Sequence, residues 1–230
     1  MTADRSGEGR PNDHGRRAAG RLIALVPVRS IDGAKSRLAD VLDAEERHDL
    51  VVRMLERTIR AATGSARIAA TIVVSADPLA REIAEAAGVR AIADPGIGLV
   101  EALDEARRAA LDAGATAVLV VPIDLAEVSS ASLDAALETA LAGDPDGDPG
   151  APLVALVPDR HHRGTNVLLV RPPDAIGFSF GGDSRAAHAG RASAAGVRFV
   201  ELGGPLVVDL DTPEDLLVAT SSAGEGDGGH

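Results

Sequence analysis

Three aspartates stand at the ends of apolar runs, where a buried carboxylate is costly. Asp124 follows Val120 and Val121, and a desolvated carboxylate there needs a partner or a metal ion, although a helix or turn cap would also explain it. Asp209 and Asp211 are two residues apart, so their side chains would share one face of an extended strand. A divalent cation would relieve their repulsion, whereas Asp211 alone could cap a following helix. Oxygen ligands without cysteine or clustered histidine favour Mg²⁺ over zinc.

A second group of candidates follows the first apolar run, between Pro27 and Leu38. Small residues there would let backbone N–H groups approach a phosphate, and Arg29, Lys35 and Arg37 would supply positive charge. The pattern is neither a Walker loop nor G-x-G-x-x-G, so a solvated loop with incidental cations is the alternative. Lys35 is the only lysine among 23 basic residues, which favours a specific role for it.

Two further segments combine turns with groups that bind anions. Residues 158–166 carry basic and imidazole side chains and end in a Gly-Thr-Asn turn. Residues 178–184 form a Gly-rich turn that opens a helix at Asp183 and Ser184, and helix N-termini bind anions through unpaired N–H groups. Asp183 and Ser184 could instead be simple helix caps. We interpret three histidines as surface or capping residues rather than catalysts: His161, His162 and His188.

The elements that must position these residues alternate between apolar runs and helical patterns. Continuous apolar runs are typical of strands covered on both faces, and the Asp43/Glu46 pair and Asp77-Pro78 mark helix starts. This alternation predicts an α/β, three-layer, mainly parallel sheet that binds ligands beyond the carboxyl ends of its strands. The predicted strands are 22–28, 69–75, 90–93, 116–121, 153–157, 166–170, 197–200 and 206–210. The predicted helices are 43–62, 101–111, 130–141 and 184–195, with two more starting at Asp77 and Asp211.

Composition sets the domain organisation and argues against several classes of function. The 230 residues include 23 Lys plus Arg and 35 Asp plus Glu, and the net charge of −12 argues against nucleic-acid or anionic-membrane binding. With no cysteine and no run long enough for a membrane span, we expect a cytoplasmic protein without thiol chemistry. Residues 1–20 and 221–230 lack apolar periodicity, which predicts a disordered leader and tail around a single domain, 21–220.

The motifs, taken in order, resemble those of one family. P-V-R…A-K-S-R-L, an Asp-Leu pair, P-D-R-H…G-T-N, F-x-F-G-x-x-S and D-L-D-T-P-E-D-L are similar to the guanylyltransferases of deazaflavin (coenzyme F-420) biosynthesis. Those enzymes act on 2-phospho-L-lactate or phosphoenolpyruvate, and the similarity covers residues 22–219. The resemblance implies a Rossmann-like nucleotidyltransferase fold. It also implies transfer of GMP from GTP to the phosphate of a three-carbon acid, with release of diphosphate.

The resemblance implies three groups of functional residues. The catalytic carboxylates, which would hold two magnesium ions, are Asp124, Asp209 and Asp211. The positions that would hold the carboxylate of the acceptor are Thr165, Gly181 and Ser184. The basic loop at the GTP phosphates would contain Lys35 and Arg37, to which its place in the same segment adds Arg29.

One departure from the family concerns the nucleotide. The family usually has Gly-Leu-Asn-x-Ala-Leu before its third helix, whereas residues 98–103 here read G-L-V-E-A-L. Val100 therefore stands where the family has Asn, and one polar contact of that Asn to the nucleotide is lost. The usual Asp-Leu-Pro is Asp-Leu-Ala at 124–126, a milder change. Two alternatives therefore stay open. One is a divergent paralogue with another nucleotide or another acceptor, such as 3-phosphoglycerate, and the other is a non-catalytic nucleotide-binding protein.

Overall fold

A computed structural model describes residues 20–32, 35, 38–94, 96–142 and 150–210 of the chain. The strands are β1 (Leu22–Val28), β2 (Ala70–Ser75), β3 (Arg90–Ala93), β4 (Ala117–Val120), β5 (Leu153–Pro158), β6 (Thr165–Arg171) and β7 (Arg198–Glu201). The helices are α1 (Ala44–Gly64), α2 (Pro78–Ala86), α3 (Leu99–Asp112), α4 (Ser130–Ala142) and α5 (Ser184–Ala194). Among the described residues, no helix has both the length and the apolar character that a membrane span requires.

The seven strands form one sheet in the order β3-β2-β1-β4-β6-β5-β7. Strands β1 to β4 pair in parallel with their neighbours in this group, and β7 pairs in parallel with β5. Among the strands of the described residues, only β6 runs antiparallel to its neighbours, β4 and β5. The predicted α/β, mainly parallel sheet is therefore confirmed, and the amino end of β6 meets the carboxyl ends of β1, β4 and β5 at one edge.

The side chains of β1 point alternately to the two faces of the sheet, and each face packs into a different apolar cluster. Ile23 and Leu25 pack with the residues of α3 and α5, whereas Leu22 and Ala24 pack with those of α1 and α4. Val26 and Val28 extend the second face towards α2. Strands covered on both sides in this way explain why the apolar runs are uninterrupted, and they give the three predicted layers.

Two helix starts follow the predicted capping chemistry. The Asp43 carboxylate accepts the Glu46 amide at 2.9 Å and the Glu46 carboxylate accepts the Asp43 amide at 2.8 Å, which is a complete capping box before α1. Asp77 caps α2, with Pro78 in the first turn. Its carboxylate also accepts the Ile31 amide at 2.7 Å and so anchors the loop that follows β1.

The prediction of a strand at 206–210 is wrong. Residues Pro205–Val207 form a short 3-10 helix, and Asp209 makes only an isolated antiparallel bridge with Leu125. Pro205 has no N–H to donate to a sheet, and the Leu206 carbonyl is occupied by the Asn166 side chain at 3.0 Å. The helix predicted from Asp211 onwards lies outside the described residues.

Candidate active site

A cleft of about 250 Å³ opens at the edge of the sheet where β1, β4 and β5 end and β6 begins. Ligands of open α/β sheets bind at such an edge, beyond the carboxyl ends of the strands. Five of the nine residues that the sequence assigned to a site line this cleft: Asp124, Thr165, Gly181, Ser184 and Asp209. Arg37 and Asp211 lie outside the described residues.

The carboxylate end of the cleft is assembled by backbone pairing between two loops. The Leu210 amide donates to the Asp124 carbonyl at 2.8 Å, and the Ala126 amide donates to the Val208 carbonyl at 2.9 Å. This short ladder brings Asp209 beside Asp124, although their side chains come from segments about eighty residues apart. The two aspartates therefore share one site by backbone registry rather than by belonging to one strand.

An arginine supports the loop that carries Asp124 from behind. The Arg57 guanidinium on α1 donates to the Leu125 carbonyl at 2.5 Å and to the Ala126 carbonyl at 3.0 Å. Burial lowers the pKa of Arg57 from its usual value, but the group stays charged at neutral pH because that value is so high. The loop is therefore held on one side by Arg57 and on the other by the segment around Asp209.

Of the three predicted cations, Lys35 reaches the carboxylate end. Its ammonium lies 3.2 Å from the Asp124 carboxylate, and only 10% of its side chain is exposed. Lys35 also has a φ of 56°, a left-handed conformation that is rare outside glycine and occurs at functional sites. Arg29 is exposed and does not belong to the cleft lining.

The carboxylate end suits a hard cation. Mg²⁺ is usually bound through one or two carboxylates together with substrate phosphates, and Asp124 and Asp209 provide that donor set without sulfur or imidazole. Within the part of the chain that the structure describes, no three His, Cys, Asp or Glu residues form a group that could hold a metal ion. The third predicted ligand, Asp211, lies beyond it.

The other end of the cleft presents the hydroxyls of Thr165 and Ser184, together with the Asp159 carboxylate, which accepts the Arg163 amide at 2.8 Å. Ser184 begins α5 and is only 3% exposed, and its amide already donates to the Gly181 carbonyl at 3.2 Å. Its hydroxyl makes no hydrogen bond to a described residue, so it is the group that Ser184 can offer to a ligand. Asp183 does not cap α5 with its side chain but binds the Arg163 guanidinium at 3.0 Å.

His188 is the main residue that the sequence interpretation missed. It was expected at the surface or at a cap, yet it is fully buried behind Thr165, with its ring edge-on to Phe180 at 5.0 Å. Burial, together with the nearby charge of Arg191, lowers its pKa from 6.5 to about 4, and a hydrogen bond to the Ser184 backbone offsets this only in part. The available signal was the spacing of four from Ser184, which puts both residues on one face of α5.

Val100 does not face the cleft. It packs against the apolar cluster on the α3 side of the sheet, while Leu99 and Leu103 of the same helix line the cleft. Phe180 also lines the cleft, and Phe178 is buried beneath the Arg107 guanidinium at 4.8 Å. One wall of the cleft is therefore apolar, as a nucleotide base requires.

The same fold occurs in solved structures of nucleotide-processing enzymes. A crystal structure from Desulfovibrio desulfuricans G20, assigned to the nucleotide-diphospho-sugar transferases, has a TM-score of 0.70 over 90% of both chains at 17% identity. A nucleotidyl transferase from Methanothermobacter has a TM-score of 0.60 at 19% identity, covering 88% of this chain and 97% of the other. The fold is thus the Rossmann-like nucleotidyltransferase fold, as predicted.

Sequence comparison identifies the family within this class. The family model described as "Guanylyl transferase CofC like" matches residues 22–226. A phosphoenolpyruvate guanylyltransferase from Rubrobacter xylanophilus is 42% identical over 204 residues, which are 88% of this chain and 95% of the relative. The chain belongs to the CofC-like guanylyl transferase family and is a nucleotidyltransferase enzyme.

Proposed function

We propose that this enzyme transfers GMP from GTP to the phosphate of phosphoenolpyruvate and releases diphosphate. The observation that carries the proposal is the division of one cleft into a carboxylate end, with Asp124 and Asp209, and a donor end, with Thr165 and Ser184. Relatives named phosphoenolpyruvate guanylyltransferase support this acceptor over other three-carbon phospho-acids. The same proposal assigns the enzyme to coenzyme F-420 biosynthesis, the pathway that the motifs imply.

The reaction is a displacement at the α-phosphorus of GTP. A phosphate oxygen of the acceptor forms a bond to that phosphorus, the bond to the bridging oxygen breaks, and diphosphate leaves with the electron pair. A phosphate dianion already carries the nucleophilic oxygen, so no side chain has to remove a proton. The protein therefore contributes positioning and charge neutralisation.

The acceptor is oriented by the two ends of the cleft. Its carboxylate binds at the donor end, where the Ser184 and Thr165 hydroxyls are available, because the two carboxylates at the other end, Asp124 and Asp209, would repel it more strongly than the single carboxylate of Asp159. Its phosphate then faces the carboxylate end, where Lys35 supplies a positive charge. When held there by Asp124 and Asp209, Mg²⁺ would neutralise charge on the phosphates of both substrates.

The apolar wall binds the guanine base. Leu99 and Leu103 come from the first turns of α3, and Pro27 faces them from the end of β1. Since Val100 is partly buried against the apolar cluster and does not line the cleft, the contacts that select guanine would come from backbone groups near Gly98 instead of from a side chain at position 100. This proposal explains how the chain binds GTP without the amide usual in its family.

The test is an acceptor and nucleotide screen. The full chain is incubated with Mg²⁺, each nucleoside triphosphate in turn, and phosphoenolpyruvate, 2-phospho-L-lactate or 3-phosphoglycerate, and both diphosphate and the nucleotidyl product are measured. GTP with phosphoenolpyruvate should give the highest kcat/KM. Failure to form a guanylylated acid from any combination would overturn the proposal, and preference for another pair would reassign the substrate.

The carboxylate end is tested with Asp209→Asn. The variant keeps the volume and the backbone pairing of Asp209 but loses its charge, so turnover should be lost while the melting temperature stays within a few degrees. Chelation of divalent ions should abolish turnover of the unmodified enzyme and Mg²⁺ should restore it. Asp49→Asn, at an exposed position of α1, is the matched control and should keep full activity. Normal turnover of Asp209→Asn would remove this residue from the site.

A further inference from the structure

The two ring nitrogens of His188 connect two different segments of the cleft wall. Nε2 lies 3.0 Å from the Ser179 amide nitrogen, in the turn that leads to Gly181, and Nδ1 lies 3.1 Å from the Thr165 hydroxyl at the start of β6. His188 itself belongs to α5 and is fully buried. One imidazole therefore fixes the relative position of three elements that border the donor end of the cleft.

The hydrogen-bond partners determine which nitrogen of His188 carries the proton. A backbone amide can only donate, so Nε2 must be the acceptor of the Ser179 N–H. In a neutral imidazole the hydrogen then resides on Nδ1, which faces both the Thr165 oxygen and the Ser184 backbone, so Thr165 can only accept from this nitrogen and cannot donate to it. The lowered pKa of His188 keeps the ring neutral at physiological pH.

This tautomer leaves the Thr165 hydroxyl with its own hydrogen available. A hydroxyl that accepts a hydrogen bond from His188 turns its O–H elsewhere, and Thr165 lines the cleft. If the tautomer were reversed, Thr165 would donate to His188 and present only lone pairs to the cleft. Lone pairs would repel a carboxylate, whereas an O–H binds it.

We propose that His188 is a positioning residue, which holds the Thr165 hydroxyl as a hydrogen-bond donor to the carboxylate of the acceptor. The inference rests on the proposed function for the identity of the acceptor, but the tautomer does not depend on turnover. His188 does not touch the substrate in this arrangement. It acts through Thr165 and by holding the turn at Ser179.

The first measurement reads the tautomer in the unmodified enzyme. In ¹⁵N-histidine spectra at pH 7, His188 should show a protonated Nδ1 and an unprotonated Nε2. A protonated Nε2, or a doubly protonated ring, would overturn the inference whether or not the enzyme is active. This measurement also decides the matter if substitutions at the buried position fail to fold.

The second measurement separates positioning from a general structural role. Thr165→Val should raise the KM of the acceptor about 10- to 100-fold and leave that of GTP unchanged, because one hydrogen bond to a charged group is lost. In His188→Gln the amide oxygen can take the place of Nε2 and accept from Ser179, but no donor occupies the position of Nδ1 beside Thr165, so the variant should raise the same constant. Adding His188→Gln to Thr165→Val should change it little further, since both remove one interaction. His161→Gln, at an exposed histidine outside the cleft lining, is the control.

The outcomes distinguish this inference from the proposed function. If the unmodified enzyme forms no guanylylated acid, the proposed function fails. If it does, but His188→Gln raises the KM of both substrates equally or adds its full effect to that of Thr165→Val, His188 has only a structural role and the inference fails. An acceptor KM that is unchanged in Thr165→Val overturns it as well.

Discussion

Replacing Ser184 with alanine removes one hydroxyl from the donor end of the cleft and little else. Ser184 is 3% exposed, its amide is already bonded to the Gly181 carbonyl, and its hydroxyl has no hydrogen bond to a described residue. Alanine is also a good helix former near the start of α5. The free energy of unfolding should therefore change little, and any loss of activity would report the contact with the ligand.

The expected rise in the KM of the acceptor follows from the charge of the acceptor carboxylate. A hydrogen bond to a charged group contributes about 1.5–3 kcal/mol, and about 1.4 kcal/mol corresponds to a factor of ten. Ser184→Ala should thus raise the KM of the acceptor by about 10- to 150-fold, while the KM of GTP stays near its original value. Initial rates of diphosphate release, with one substrate saturating and the other varied, give both constants.

The control for Ser184→Ala is Ser193→Ala, an exposed serine on the same helix. It should leave both Michaelis constants unchanged. If Ser184→Ala raises the KM of GTP and spares that of the acceptor, the two ends of the cleft have been assigned the wrong way round. If neither constant changes, the Ser184 hydroxyl does not touch a substrate, and the donor end is reduced to Thr165 and backbone amides.

Three further predictions concern stability. Because the pKa of His188 is about 4 when folded and 6.5 when unfolded, the unfolded chain binds the additional proton between these values. The free energy of unfolding should therefore fall as the pH drops from 6.5 to 4, by up to about 3 kcal/mol, and His188→Gln should flatten that part of the urea-denaturation profile. Asp43→Ala removes the capping box of α1 and should lower the free energy of unfolding by about 1 kcal/mol, measured with urea, whereas Asp40→Ala at an exposed position should not. A chain of residues 21–220 should keep its melting temperature and activity, since no apolar pattern outside it could dock; a large loss would mean that a terminus packs onto the domain.

Most strand bounds could be predicted because most of the strands contain a continuous apolar run. The bounds of β1 and β3 agree with the prediction, those of β2 and β5 differ by one residue at one end, and those of β4, β6 and β7 differ by one residue at both ends. Whether a strand runs parallel or antiparallel to its neighbours could not be predicted in the same way. A buried apolar run reads the same forwards and backwards, so nothing in residues 166–170 shows that β6 alone runs antiparallel. The direction of β6 depends on which strands it pairs with when the sheet forms.

The residues of the site could likewise be predicted only in part from the sequence. Asp124 could be recognised because a carboxylate after buried valines needs an explanation. Asp209 was expected to join it from a strand, but the bridge to Leu125 is what places it there. His188 lies in an alanine-rich helix without a continuous apolar stripe, so its burial depends on the turn at Ser179 and Phe180 packing over it. Such packing is decided by tertiary contacts and leaves little trace in the local sequence.

The antiparallel direction of β6 accounts for the chemistry of the cleft. A parallel strand in that place would bring its carboxyl end to the edge, but β6 brings its amino end, with Thr165 and the Gly164 turn. The edge therefore combines carboxylates after β4 with hydroxyl and amide donors before β6. In a chain with a net charge of −12, attraction for two polyanions must come from such local groups instead of from the overall field. A mainly parallel sheet with one reversed strand thus brings carboxylates and hydroxyl donors to one cleft, and under the proposed function this difference is what would orient the acceptor.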